Sequence, residues 1–306
     1  MRSIRTWFAS SLAVAVCASS LQAQAGSPGS ATAHEATRRP IVAVVGASVS
    51  AGFIDPAPRA DGERNSTVKL ARALGPYFGE SEPELRDQSD LLLFLAPGES
   101  AKRQLERTAD AKPELVLAVD LPFWFGYGRV DGTEARLRLQ GELFALLEAL
   151  FAKHGAPIVL GDYPDMRGAD PRMLPRAAVP SVEELAELNR RLRTWAARHP
   201  NVVLFPLADF VAAARGDGAE LVFGGETVRL GSALLMQGDR LHATRSGMAV
   251  LAQRLAQALS TGLPAAHPLR REAPDFEVFA RHVGADGEIE DWLDAATATA
   301  SGGKRR

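Results

Sequence analysis

Five short apolar runs recur along the chain, each bounded by turn residues or an acid: residues 41–45, 91–95, 114–119, 157–161 and 202–207. They show no polar alternation. A run that is apolar on both faces predicts a strand buried on both faces, as in a parallel sheet. The run at 91–95 is the ambiguous one, because five apolar residues do not separate strand from helix. Between the runs the apolar spacing turns helical, over 66–78, over 133–155 up to Gly155, and over 244–260. A further helix opens on a capping box, Ser181 with Glu184, and stops before Pro200. Residues 219–230 read as a small hairpin around Gly-Gly-Glu, a decoration near the site, and residues 263–306 carry a weak helix and a disordered tail. Strands alternating with helices predict an α/β fold, a three-layer α/β/α arrangement with a central parallel, flavodoxin-like sheet of about five strands. Ligands in such folds bind outside the carboxyl ends of the strands. Ser48, Asp120 and Asp162 all fall just past strand ends, so all three are expected to face one crevice.

The N-terminus breaks this pattern. Arg2 and Arg5 precede an apolar stretch over 7–21, and Ala23-Gln24-Ala25 forms a small-x-small site. That is the pattern of a secretory signal peptide over 1–25, cleaved after Ala25. A retained anchor is the alternative, but the stretch is short for a span of about 20 residues. Cys17, the only Cys, lies inside this segment, and Val16 stands where an acylated lipoprotein Cys needs a small residue. The mature chain therefore has no disulfide and no thiol nucleophile. Residues 26–39 are small and polar, a linker; the folded domain is expected over 40–262, with an extension over 263–306. The expected location is exported, periplasmic or secreted, with no membrane span after cleavage. The chain has 306 residues, 46% hydrophobic and 24% charged, with a net charge of −2, which gives no electrostatic reason for a nucleic-acid partner.

Candidate chemistry gathers in two blocks. Residues 46–52 place Ser48 on a turn after the first strand. Residues 239–242 place Asp239 three residues before His242, directly ahead of a helix. That spacing sets a carboxylate beside an imidazole, where it fixes the tautomer and stabilises the imidazolium. Ser48 then completes a set of nucleophile, base and orienter. The two blocks, Gly-Ala-Ser-Val-Ser-Ala-Gly and Asp-Arg-Leu-His, resemble those of the SGNH, or GDSL-type, hydrolases, each in the family's strand or helix context. The resemblance spans roughly residues 40–260. It implies a Ser48–His242–Asp239 triad and an oxyanion hole from the N–H groups of Ser48 and Gly98, the latter in a Gly-Glu-Ser turn. It departs in two places. Ala47 stands where the family has an acid. The Gly-x-Asn-Asp block is missing, with Leu121 in place of its Gly and Phe123 in place of its Asn. Of the Asn residues after Ala25, Asn189 is mid-helix, Asn201 precedes a strand, and Asn65 lies in the long loop after Ser48 with nothing in the sequence that requires it to swing in. One lost oxyanion donor costs about 10²–10³-fold in rate.

The segment that replaces the block, 119–128, sets Asp120 beside Phe123, Trp124, Phe125 and Tyr127. It reads as an aromatic-walled substrate pocket in which Asp120 binds a hydroxyl or cation or orients a loop, or else as a hydrophobic cover on the sheet edge. The acids of 162–166 line the crevice or are solvated. None of the other His residues (His34, His154, His199, His267 and His282) has metal-ligand spacing, so no metal and no cofactor is expected. The expectation is an exported serine hydrolase cleaving a carboxylic ester, of an acetylated glycan, a lipid or a small molecule. A non-catalytic glycan- or protein-binding relative and an O-acyltransferase with the same triad are the alternatives.

Overall fold

A computed structural model describes residues 38–54 and 68–302. The signal segment, residues 26–37 of the linker, Asn65 and the last four residues lie outside these. The first half runs β1 (Ile41–Val44), α1 (Ser48–Ala51), α2 (Leu70–Ala73), α3 (Gly75–Phe78), β2 (Glu84–Asp87), α4 (Pro97–Ala111), β3 (Leu115–Ala118), α5 (Phe123–Gly126) and α6 (Gly132–Lys153). The second runs β4 (Ile158–Gly161), α7 (Val182–Ala196), β5 (Val202–Phe205), α8 (Leu207–Arg215), β6 (Ala219–Phe223), β7 (Glu226–Leu230), α9 (Ser232–Leu235), α10 (Arg245–Gly262), α11 (Phe276–Val283) and α12 (Asp286–Gly302).

Five strands form one parallel sheet in the order β2-β1-β3-β4-β5. Helices α4, α6 and α7 pack along one another, as do α2, α10 and α11, giving three layers. The strand order reverses between β1 and β3, and the crevice at that switch point is where such sheets bind ligands. Ser48 follows β1 and Asp120 follows β3, so the topology brings them together. The predicted strands at 41–45, 114–119, 157–161 and 202–207 are β1, β3, β4 and β5; every residue of β1, β3 and β4 is buried.

Residues 91–95 are not a strand. They form a turn and a 3₁₀ segment, Leu93–Leu95, and only Leu93 is buried. The fifth strand is β2, whose four residues are all exposed. It is an edge strand held by backbone pairing to β1, with Ile41 opposite Glu84, and it buries no side chain that a hydrophobic pattern could register. The helix expected over 66–78 is broken into α2 and α3, since Pro76 lacks the N–H that a continuous helix needs. The capping box on α7 forms as expected: Ser181 Oγ accepts from Glu184 N, and Glu184 accepts from Ser181 N.

The 219–230 hairpin forms as β6 and β7 and packs on α8 and α11. None of its residues borders the cavities around Ser48, so it does not decorate the site. Residues beyond 262 carry two helices rather than one weak one. Phe276, Phe279, Ala280 and Val283 repeat at helical spacing on α11 and are buried. Glu288 on α12 accepts from Arg245 Nη1 at 2.9 Å and from Ser246 Oγ at 3.1 Å, tying α12 to the start of α10. The described part of the extension thus belongs to the same compact unit as the sheet.

Candidate active site

The turn after β1 is held from two sides. On one side Gln104, buried on α4, clamps the Gly46 peptide: its Oε1 accepts from Gly46 N at 2.7 Å, and its Nε2 donates to Gly46 O at 3.1 Å. On the other side lies Asp120. Its Oδ2 accepts from the N–H groups of Ala47 (3.1 Å), Val49 (2.8 Å) and Ser50 (3.4 Å), and its Oδ1 accepts from Ser50 Oγ at 2.6 Å. The Ser48 N–H is not among these donors, so the carboxylate holds the turn without consuming it. Gly46, at φ 139°, makes this approach possible: a Cβ there would sit 2.1 Å from Asp120 Oδ1. Only glycine combines that backbone conformation with that contact.

Asp120 is 4% exposed. Burial raises its carboxyl above the ordinary value, against the lowering effect of the Ser50 hydroxyl and the three N–H groups. Its hydrogen bonds all go to the Ser48 turn, and the residue also borders a cavity beside Ser48. It also restores a carboxylate at a turn where Ala47 provides none; the acid comes from the end of β3.

The second block is a tight loop between Met236 and Ala243, which pair as an isolated bridge. Gln237 N donates to His242 O and Gln237 Nε2 to Ala243 O, both at 2.9 Å. Arg240 takes a left-handed conformation, φ 54°, at the bend. Asp239 then faces back on the loop. Its Oδ1 accepts from Leu241 N at 2.9 Å and His242 N at 3.0 Å, and its Oδ2 accepts from His242 Nδ1 at 2.7 Å. A carboxylate accepts only, so the ring proton sits on Nδ1 and Nε2 is left as the basic nitrogen. Burial works to raise the Asp239 carboxyl, but the His242 ring and the two backbone N–H groups outweigh it and hold the carboxyl below the usual range. His242 is 5% exposed, and Phe53 stacks flat on its ring at 3.5 Å.

Ser48 and His242 border the same two cavities. The larger is a groove of about 900 Å³ that also reaches Gly98 and Trp124. Gly98 lies in the first turn of α4, where helix N–H groups have no intrahelical acceptor. Phe123 stacks on Tyr127 at 4.1 Å and meets Trp124 edge-on at 5.0 Å, so the position of the family's Asn holds an aromatic wall. The remaining candidates lie elsewhere. Asp162 accepts from Ala208 N at 2.7 Å, capping α8, and burial raises its carboxyl. Asp165 pairs with Arg167 on the surface. Asn189 bridges Tyr163 N and O, and Asn201 donates to Ala156 O at 3.3 Å, so both are engaged with backbone. Asn65 lies outside the described residues.

Two site residues escaped the sequence reading. Gln104 lies on the buried face of α4 with Ser100, Ala101, Leu105, Thr108 and Ala109, a face polar at every fourth residue, so its burial does not stand out. Phe53 carried no signal either. Among the described residues no group of three or more His, Cys, Asp or Glu is placed to hold a metal ion. No helix among them is long and apolar enough to cross a membrane.

No family model matches the chain, and no curated protein matches it. Solved structures that it resembles include one described as a GDSL-like lipase from Parabacteroides merdae, at 16% identity and TM-score 0.46, covering 72% of this chain and 95% of that one. Another is an acetylxylan esterase from Geobacillus stearothermophilus, at 15% identity and TM-score 0.45, covering 76% and 97%. Identities of this size leave the chemistry of the site to its own geometry.

Proposed function

We propose that this chain is an exported SGNH-type serine hydrolase that cleaves a carboxylic ester. The observation that carries the reading is the His242 ring, held by Asp239 at 2.7 Å, on the same cavities as Ser48. Export rests on the signal pattern of residues 1–25.

Ser48 Oγ attacks the ester carbonyl carbon, and its proton passes to His242 Nε2. Asp239 stabilises the imidazolium that results. The carbonyl oxygen becomes an oxyanion facing the N–H groups of Ser48 and Gly98, the dipole end of α4 adding to the latter. Collapse breaks the bond to the alcohol, whose oxygen takes the proton from Nε2. Water then repeats the sequence on the acyl-enzyme, giving a carboxylic acid and restoring Ser48.

The pH profile tests this. Below its usual range, the Asp239 carboxyl stays ionised through mild acid; its stabilising contribution is present above about pH 4 and is lost only as pH falls through its lowered value. Asp239 is therefore expected to add no limb of its own to the pH profile of ethyl acetate cleavage above about pH 4. The check is kcat/KM measured from pH 5 to 8. Two acid limbs within that range remove Asp239 as the ionised orienter, and no cleavage at any pH removes the hydrolase reading.

A further inference from the structure

The cavities that meet at Ser48 differ in what they hold. One is a narrow pocket of about 50 Å³, walled by Val49, Phe123, Met166, Phe210, Met236 and Leu251. Another is the groove of about 900 Å³, and a cleft of about 20 Å³ beside Phe53 also borders Ser48 and His242. Ser48, Trp124 and Leu241 border both the narrow pocket and the groove, which makes Trp124 and Leu241 the partition between them. His242 and Gly98 border the groove and not the narrow pocket.

Size limits the occupants. At roughly 10–15 Å³ per water-sized group, the narrow pocket takes about three to five non-hydrogen atoms, an acetyl to butyryl group. Its walls are apolar. The carboxylate that reaches it, Asp120, already accepts four hydrogen bonds from the Ser48 turn. A hydroxylated or charged acyl group would lose its hydration there without replacement.

The groove is in the size range of a whole small-molecule ligand. Part of its wall is the 91–95 segment, the apolar run that is not a strand. Leu92 is 57% and Leu95 69% exposed, and Leu91 and Phe94 are exposed beside them. Four large apolar side chains held in water next to a nucleophile mark a surface that gains by being covered.

Proton transfer decides which part of the ester goes where. The leaving oxygen takes its proton from His242 Nε2, so the alcohol lies on the side that His242 borders, where of the cleft and the groove only the groove has room for a whole alcohol. The acyl chain lies across the carbonyl carbon from it, in the cavity that His242 does not border. Resting on the ester-hydrolase reading above, we infer that the site is built for a short-acyl ester of a bulky apolar alcohol. The acyl group enters the pocket behind Trp124, and the alcohol lies along Leu92 and Leu95. Acylation releases the apolar alcohol through the groove, and water takes its place beside His242 to release a short carboxylic acid.

Octyl acetate and ethyl octanoate are isomers that differ only in which side of the ester carries the long chain. The purified protein is expected to show kcat/KM at least about tenfold higher for octyl acetate. Leu92→Asp/Leu95→Asp, two changes at exposed positions with folding checked by circular dichroism, is expected to narrow that ratio by lowering the octyl acetate value. Equal rates, or a preference for ethyl octanoate, overturn the inference and leave the hydrolase reading standing. No turnover of either isomer or of ethyl acetate overturns both.

Discussion

Ser48→Ala is expected to lower kcat/KM for ethyl acetate by about 10⁴–10⁶-fold with little change in melting temperature. The chemical step loses its only proposed nucleophile, so the loss falls on kcat. The fold loses little, because the turn is held by groups other than the Ser48 side chain. Gln104 grips Gly46, and Asp120 grips the N–H groups of Ala47, Val49 and Ser50. Ser48 is itself only half-buried. What survives in the variant is the contribution of binding and the oxyanion donors. Ester hydrolysis and thermal melts on matched preparations check this; a variant retaining a tenth of the wild-type rate contradicts it.

Asp120→Ala is expected to be the most damaging single change to the site that leaves the triad intact. It orphans three N–H groups and leaves Ser50 Oγ with only its longer contact to Val45 O at 3.3 Å. An orphaned buried donor costs about 1–3 kcal/mol, so even with water recovering part, the loss is about 3 kcal/mol or more. At about 2–4 °C per kcal/mol, that lowers the melting temperature by roughly 6–12 °C. Activity is expected to fall about 10²-fold through kcat, since a turn displaced by about 1 Å misplaces the nucleophile. Asp120→Asn separates this role from substrate binding. Its amide oxygen still accepts from the turn, so kcat is largely retained. Its stability is also expected to depend less on pH. A carboxyl raised by burial contributes stability that is fully present below its unfolded value of about 4 and is lost as pH rises through the folded value. The amide has no such loss. A raised KM with unchanged kcat in both variants would instead make Asp120 a substrate anchor.

The sequence reveals those parts of this protein that obey local rules. Strands β1, β3 and β4 announce themselves because the sheet interior demands apolar side chains on both faces, and the edge strand β5, only half-buried on one face, is apolar throughout as well. The other edge strand, β2, does not announce itself, since Glu84 to Asp87 are exposed and the sheet uses only their backbone. The run at 91–95 misleads for the converse reason: Leu93 alone joins the core, and the other four line the groove. Asp239 and His242 are legible because their pairing is local, three residues apart. The contacts of Gln104 and Asp120 with the Ser48 turn, and of Phe53 with His242, join residues distant in sequence, and only the strand order of the sheet brings them together. The absent Asn acquires a physical setting: Phe123 walls an apolar pocket in its place, and the turn's missing acid is supplied from β3.

The central claim is that Ser48 is an activated nucleophile. A fluorophosphonate probe followed by peptide mapping by mass spectrometry tests it most directly. The wild-type protein is expected to carry one adduct, on the peptide containing Ser48, and Ser48→Ala to carry none. An unlabelled wild-type protein, or an adduct on a different serine, would contradict it.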